Sequence, residues 1–202
     1  MLKNDKDLSE SRRVRLTKRL IKETLAELLQ SKNIRSITVK ELCQHAEINR
    51  STFYVHYGDA YAVLEDIERD FLAQMPFSIE TIAGNDETAK RHLILEYINY
   101  IRDNQTTFIA LCKNGMLSNA LYEHVLTSHQ DIFVPGIHVP ELYRFIMCYA
   151  NTGTCTVLLY WLEEQSFSTE EMAEIILRLL PHPTEILDAL SKIGYKPKKA
   201  KH

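Results

Sequence analysis

Apolar residues return along this chain every three or four positions, the interval that stacks them on one face of an α-helix. Leu20, Ile21, Leu25, Leu28 and Leu29 keep that interval and predict an amphipathic helix from Arg12 to about Gln30, with residues 1–11 disordered before it. Val39, Leu42, Cys43 and Ala46 form a second stripe. Ala60, Val63, Leu64, Ile67 and Phe71 form a third, running to Met75 and closed by Pro76. Leu93, Ile94, Tyr97, Ile98 and Ile101 mark a helix over 86–102, and Phe108, Ile109, Leu111 and Cys112 one over 106–113. Another, around 118–133, stops before Pro135-Gly136. Pro140 opens a long helix to about Glu164, roughly 37 Å at 1.5 Å per residue. Met172, Ile175, Ile176, Leu179 and Leu180 carry the next, which Pro181 and Pro183 end, before a short piece over 184–192. No alternation of period two and no repeat appears, so the predicted fold class is all-α.

The stretch from Thr38 to Tyr57 departs from the other helices. It reads as two short helices joined by a tight turn. Thr38 with Glu41 three residues on is the capping box that starts the first, and Asn49 caps the second. Ala46-Glu47-Ile48 makes the turn, with Glu47 expected in the left-handed region and Ile48 as a buried pivot. In the second helix Phe53 faces inward. Arg50, Ser51, Thr52, Tyr54 and His56 offer donors, acceptors and rings outward. A helix so decorated suits the major groove of duplex DNA, which admits a helix and displays a hydrogen-bond code on its floor.

These residues resemble the TetR/AcrR family of bacterial transcription regulators. The family motif has the form T-x-x-x-I/L-A-x-x-A-G-V-S-x-x-T-L/F-Y-x-H/Y-F. Thr38, Leu42, Ala46, Ile48, Asn49, Thr52, Phe53, Tyr54, His56 and Tyr57 stand in register with it, and the match runs from about Thr17 to Met75. Two positions depart: Glu47 replaces the turn glycine, and Ala60 replaces a lysine that many members place at the start of the next helix. Arg50 and Ser51 are best placed for base edges. Lys40, Asn49 and Thr52 could bond phosphates or edges. The resemblance implies phosphate contacts for Tyr54 and His56. Tyr57 reads equally as core or contact. The basic run Arg12, Arg13, Arg15, Lys18 and Arg19 reads equally as a phosphate-binding arm or a solvated one.

Charge sharpens this picture. The 202-residue chain has a net charge of only -3. Yet residues 1–57 hold 12 Lys+Arg against 7 Asp+Glu, and residues 58–202 hold 12 against 20. A basic head on an acidic body is expected where only the head meets phosphates. The cysteines, Cys43, Cys112, Cys148 and Cys155, are scattered, which predicts buried reduced thiols in a cytoplasmic protein. The uncharged run Phe145–Leu162 carries Asn151, Thr152, Thr154 and Thr156 in its middle, so it reads as a buried or interface helix, not a membrane span. His124, His129 and His138 lack the i, i+4 spacing of a helical metal site, and no phosphate loop or nucleophile elbow appears. No enzyme, metal or cofactor is expected.

Gly153 to Ala173, with Gly153, Trp161-Leu162 and the box Ser168-x-x-Glu171, resembles the C-terminal domain of the dihydroxyacetone-kinase regulator-like subgroup of the same family. The two resemblances together imply a DNA-binding domain over 1–75 and a helical regulatory and dimerisation domain over 76–202. They imply a homodimer on a palindromic duplex operator and a small-molecule effector, with Ala150, Gly153 and Thr154 allowing close helix approach. Tyr97, Phe108, Cys112, Tyr143, Met147 and Trp161 are candidates to line an effector pocket, with plain core the competing reading. A rival from another class is a regulator controlled by a protein partner, its DNA motif weak or vestigial.

Overall fold

A computed structural model describes residues 2–78, 81, 84, 86–115, 117, 140–179, 189 and 191–194; side chains are described for the same residues except 2–11, 140–144, 146 and 147. Every regular element among them is helical: α1 (Leu2–Leu28), a 3-10 turn (Ile34–Ser36), α2 (Val39–His45), α3 (Arg50–His56) and α4 (Ala60–Gln74). Then follow α5 (Glu87–Asp103), α6 (Gln105–Lys113), α7 (Pro140–Glu164) and α8 (Thr169–Leu179). The helices expected around 118–133 and over most of 184–192 lie outside the described residues.

The chain divides into two compact units, Met1–Ala73 with Thr106–Met116, and Gln74–Gln105 with Leu117–His202. In the first, Ile21, Leu25, Leu42, Phe53, Leu64 and Phe108 are wholly buried. Phe108 of α6 sits 6.3 Å from Phe71 of α4, ring centre to ring centre. Gln30 Nε2 donates to the Thr106 carbonyl (2.7 Å), and the Ile34 amide to Asn114 Oδ1 (2.9 Å), tying α6 to the loop after α1. In the second unit α5 packs along α8. Arg91 pairs with Glu174, and Arg102 donates to Thr169 Oγ1.

The caps follow the sequence closely. Asp86 accepts from the Thr88 and Ala89 amides, both at 3.0 Å, and Asp59 from Ala62 at 2.9 Å. Ser168 and Glu171 complete a reciprocal capping box at 2.8 and 3.2 Å. Three expectations change. Helix α1 begins at Leu2, because residues 2–11 contain no glycine or proline to stop a helix already nucleated behind them. Leu20 is exposed, since the buried stripe of α1 runs through Ile21, Thr24, Leu25 and Ala26. All four cysteines are thiols, but of these four, all expected buried, Cys112 is only half-buried and Cys148 is exposed. Among the described residues no helix is long and apolar enough to cross a membrane.

Candidate nucleic-acid interface

The site is built on α2 and α3, each seven residues long. Helices this short do not hold themselves in water, so their pose is set by what they bury. Thr38 Oγ1 accepts from the Glu41 amide at 3.2 Å, as its capping position requires. The Glu41 carboxylate is bonded to Lys32, and this bond above all holds it below the usual carboxylate range. Glu47 has φ of 51°, the left-handed conformation the turn demands of a non-glycine residue. Ile48 is half-buried; its amide donates to the Cys43 carbonyl at 3.0 Å and closes the turn. Glu47→Gly is therefore expected to stabilise the chain. The left-handed penalty of about 1–2 kcal/mol is relieved against an entropic loss of about 0.5–1 kcal/mol. A higher melting temperature supports this, and a lower one contradicts it.

Phe53 anchors α3, wholly buried and with its ring 5.6 Å from Tyr54 and 6.0 Å from Tyr57. Around it Arg50 and Ser51 are exposed, Thr52 and His56 half-exposed, and Tyr54 is 58% exposed. Lys40, at the start of α2, is also exposed. Asn49 occupies the N-cap position, but its side chain makes no capping bond, which leaves its amide outward. Among the described residues no hydrogen bond or ion pair holds the side chains of Lys40, Asn49, Arg50, Ser51, Thr52 or His56. Burial raises the Cys43 thiol pKa, with the Arg50 charge opposing, which sets Arg50 electrically close to α2.

Tyr57 resolves as core. It is buried, its hydroxyl donates to Asp66 Oδ2 at 2.6 Å, and Lys18 Nζ lies 5.2 Å above its ring. Burial first, and then Asp70, push its pKa up to about 12. The basic arm divides. Arg12, Arg13 and Arg15 are exposed, whereas Lys18 pairs with Asp66 (3.7 Å) and Arg19 with Glu23 (2.7 Å).

The chain is similar to known proteins at this level of architecture. It is 24% identical over 158 residues, 75% of its length, to an uncharacterised HTH-type transcriptional regulator, YxbF, of Bacillus subtilis (strain 168), and spans 41% of that protein. No protein-family model matches the sequence. A TetR transcriptional regulator from Streptococcus agalactiae 2603V superposes with a TM-score of 0.56 at 19% identity, covering 86% of this chain and 98% of that one. A TetR-family regulator from Streptomyces coelicolor gives 0.55 at 16%, covering 88% and 85%. The chain has the TetR-regulator fold.

In this TetR-fold chain one outward residue escaped the sequence reading. Val55, next after Tyr54 in α3, is 78% exposed. An apolar side chain there fits a thymine methyl group. Its position two residues from each of the inward Phe53 and Tyr57 was the available clue. The candidate pocket residues fall in different surroundings. Phe108 is core of the first unit and Cys112 half-buried there. Tyr97 and Trp161 are buried in the second, with Trp161 Nε1 donating to the Phe167 carbonyl at 2.8 Å. The side chains of Tyr143 and Met147, and all of His124, His129 and His138, lie outside the described residues. Among the described residues no group of three or more His, Cys, Asp or Glu could hold a metal ion.

Proposed function

We propose that this chain is a DNA-binding transcription regulator, a homodimeric repressor that reads a palindromic operator through α3 and is released by a small-molecule effector. Residues 1–75 form the reader and residues 76–202 the sensing and pairing body. One observation carries the reading: α3 is anchored by Phe53 and leaves Arg50, Ser51, Tyr54 and Val55 exposed, with neither Arg50 nor Ser51 committed to a partner among the described residues. An effector that binds better to a form with misplaced reading heads would release DNA by population shift. The test is selection of duplexes from a random pool by the purified protein. An inverted repeat with half-sites about 10 bp apart or a multiple of that supports the reading; no enrichment contradicts it.

Pairing is supported by α7. Phe145, Tyr149 and Tyr160 are 74%, 71% and 65% exposed, and the exposed Thr152, Gly153 and Thr156 lie between them on one side of the helix. A second copy covering this face accounts for so many exposed rings. Tyr149→Asp would then bury an unpaired charge, a loss of roughly 3 kcal/mol or more. Sedimentation at micromolar concentration is expected to give dimers for the wild type and monomers for the variant. Monomeric wild type would sink the pairing.

A further inference from the structure

Asp66 is a buried carboxylate on α4 that the candidate interface does not itself contain. It joins three elements. Tyr57, the C-cap of α3, donates its hydroxyl to Oδ2 at 2.6 Å. Lys18 and Lys22 of α1 bring ammonium groups to 3.7 and 3.6 Å of the same oxygen. Arg69 binds Oδ1 from the next turn of α4, and Lys22 is shared with Asp70. We infer that Asp66 is a positioning residue for α3: it fixes the pose in which the exposed end of that helix meets base edges, and so it sets sequence preference without touching DNA. The inference rests on the DNA-reading role proposed above.

The physical argument is one of directionality. Phe53 alone fixes how deeply α3 sits, because burial of a ring is nearly indifferent to its rotation within an apolar pocket. A seven-residue helix held at one point can still roll and tilt. The Tyr57 hydroxyl supplies the second point. It lies at the far end of the helix from Arg50, and a buried hydroxyl–carboxylate bond tolerates little angular error before its donor is left unsatisfied. Base-edge hydrogen bonds are equally demanding, so a small roll of α3 weakens contacts to the right bases more than contacts to phosphates.

The same carboxylate divides the cations of α1. Lys18 and Lys22 are turned inward to Asp66, and only Arg12, Arg13 and Arg15 of the basic arm stay exposed and without a partner among the described residues. Removing the Asp66 charge frees Lys18 from its carboxylate partner, while Lys22 keeps its bond to Asp70. A purely structural role for Asp66 also shifts the salt slope of DNA binding but leaves the sequence preference of folded Tyr57→Phe untouched, and this is where the two readings separate.

The experiment measures affinity for the duplex that the wild type selects from a random pool, and for a scrambled duplex, across a salt series. Wild type, Tyr57→Phe and Asp66→Asn are compared. Tyr57→Phe keeps the ring, its packing and the Lys18 contact, so it folds. It is expected to lower the ratio of selected to scrambled affinity about three- to tenfold, the worth of one hydrogen bond, with the salt slope unchanged. Asp66→Asn can still accept the Tyr57 bond, so its expected mark is different. Scrambled-duplex binding gains up to one further released counterion through Lys18, a slope steeper by about 0.9. An unchanged preference in folded Tyr57→Phe overturns the inference. A wild type that selects no sequence overturns the DNA-reading role itself, a separate and recognisable failure.

Discussion

Phe53→Ala is expected to destabilise the chain by about 3–5 kcal/mol, the usual consequence of truncating a buried phenylalanine. The ring is wholly buried, touches Tyr54 and Tyr57, and is the only buried residue within α3. Against a typical domain stability of about 5–15 kcal/mol, that is enough to lower the unfolding midpoint sharply. Tyr54→Ala is the matched control. Its ring is mostly exposed, so its removal is expected to shift stability by only about 0.5 kcal/mol, as at other surface sites. Urea unfolding followed by far-ultraviolet circular dichroism compares the two. Equal losses from both variants would mean that α3 is not held as described. A large loss from Phe53→Ala with a small one from Tyr54→Ala supports the anchor.

Arg50→Ala is expected to do the opposite, leaving folding intact and blurring sequence preference. Arg50 opens α3, is exposed, and is the sole Lys or Arg in that helix. A guanidinium there can grip guanine O6 and N7 with two parallel bonds, a contact worth about 1–3 kcal/mol of discrimination. The expected loss is therefore about fivefold to somewhat over a hundredfold at one base position. Arg50→Lys separates charge from geometry. It keeps the attraction to phosphates but lacks the planar fork, so preference falls while general DNA affinity holds. If Arg50→Lys keeps full preference, Arg50 is a phosphate contact and not a base reader.

Much of this was legible in the residues, and the limits have physical causes. Capping is local chemistry, so Thr38 with Glu41 and Ser168 with Glu171 were readable, and both helices start where those boxes stand. The left-handed Glu47 was readable too, because the motif leaves no other way to turn at that position. Asn49 shows the boundary: residue type and place were right for a cap, but the bond itself is not formed. Periodicity ranked Ala60, Val63, Leu64, Ile67 and Phe71 as the inward face of α4 and passed over Asp66, because an acidic residue counts as outward in any hydropathy pattern. Two of its partners lie on α1, Lys22 and Lys18, 44 and 48 residues earlier in sequence. Pairing over that distance is a property of the packed unit. Val55 was missed for the converse reason: an apolar residue is presumed inward until the helix is placed.

The most direct test of the central claim is the affinity of the purified protein for its selected duplex and for a scrambled one, at several salt concentrations, with Arg50→Ala alongside. Tight binding that weakens steeply with salt, prefers the selected duplex, and loses that preference in Arg50→Ala is the predicted result. Equal affinity of the wild type for both duplexes would contradict the account and move a protein-partner role ahead of DNA reading.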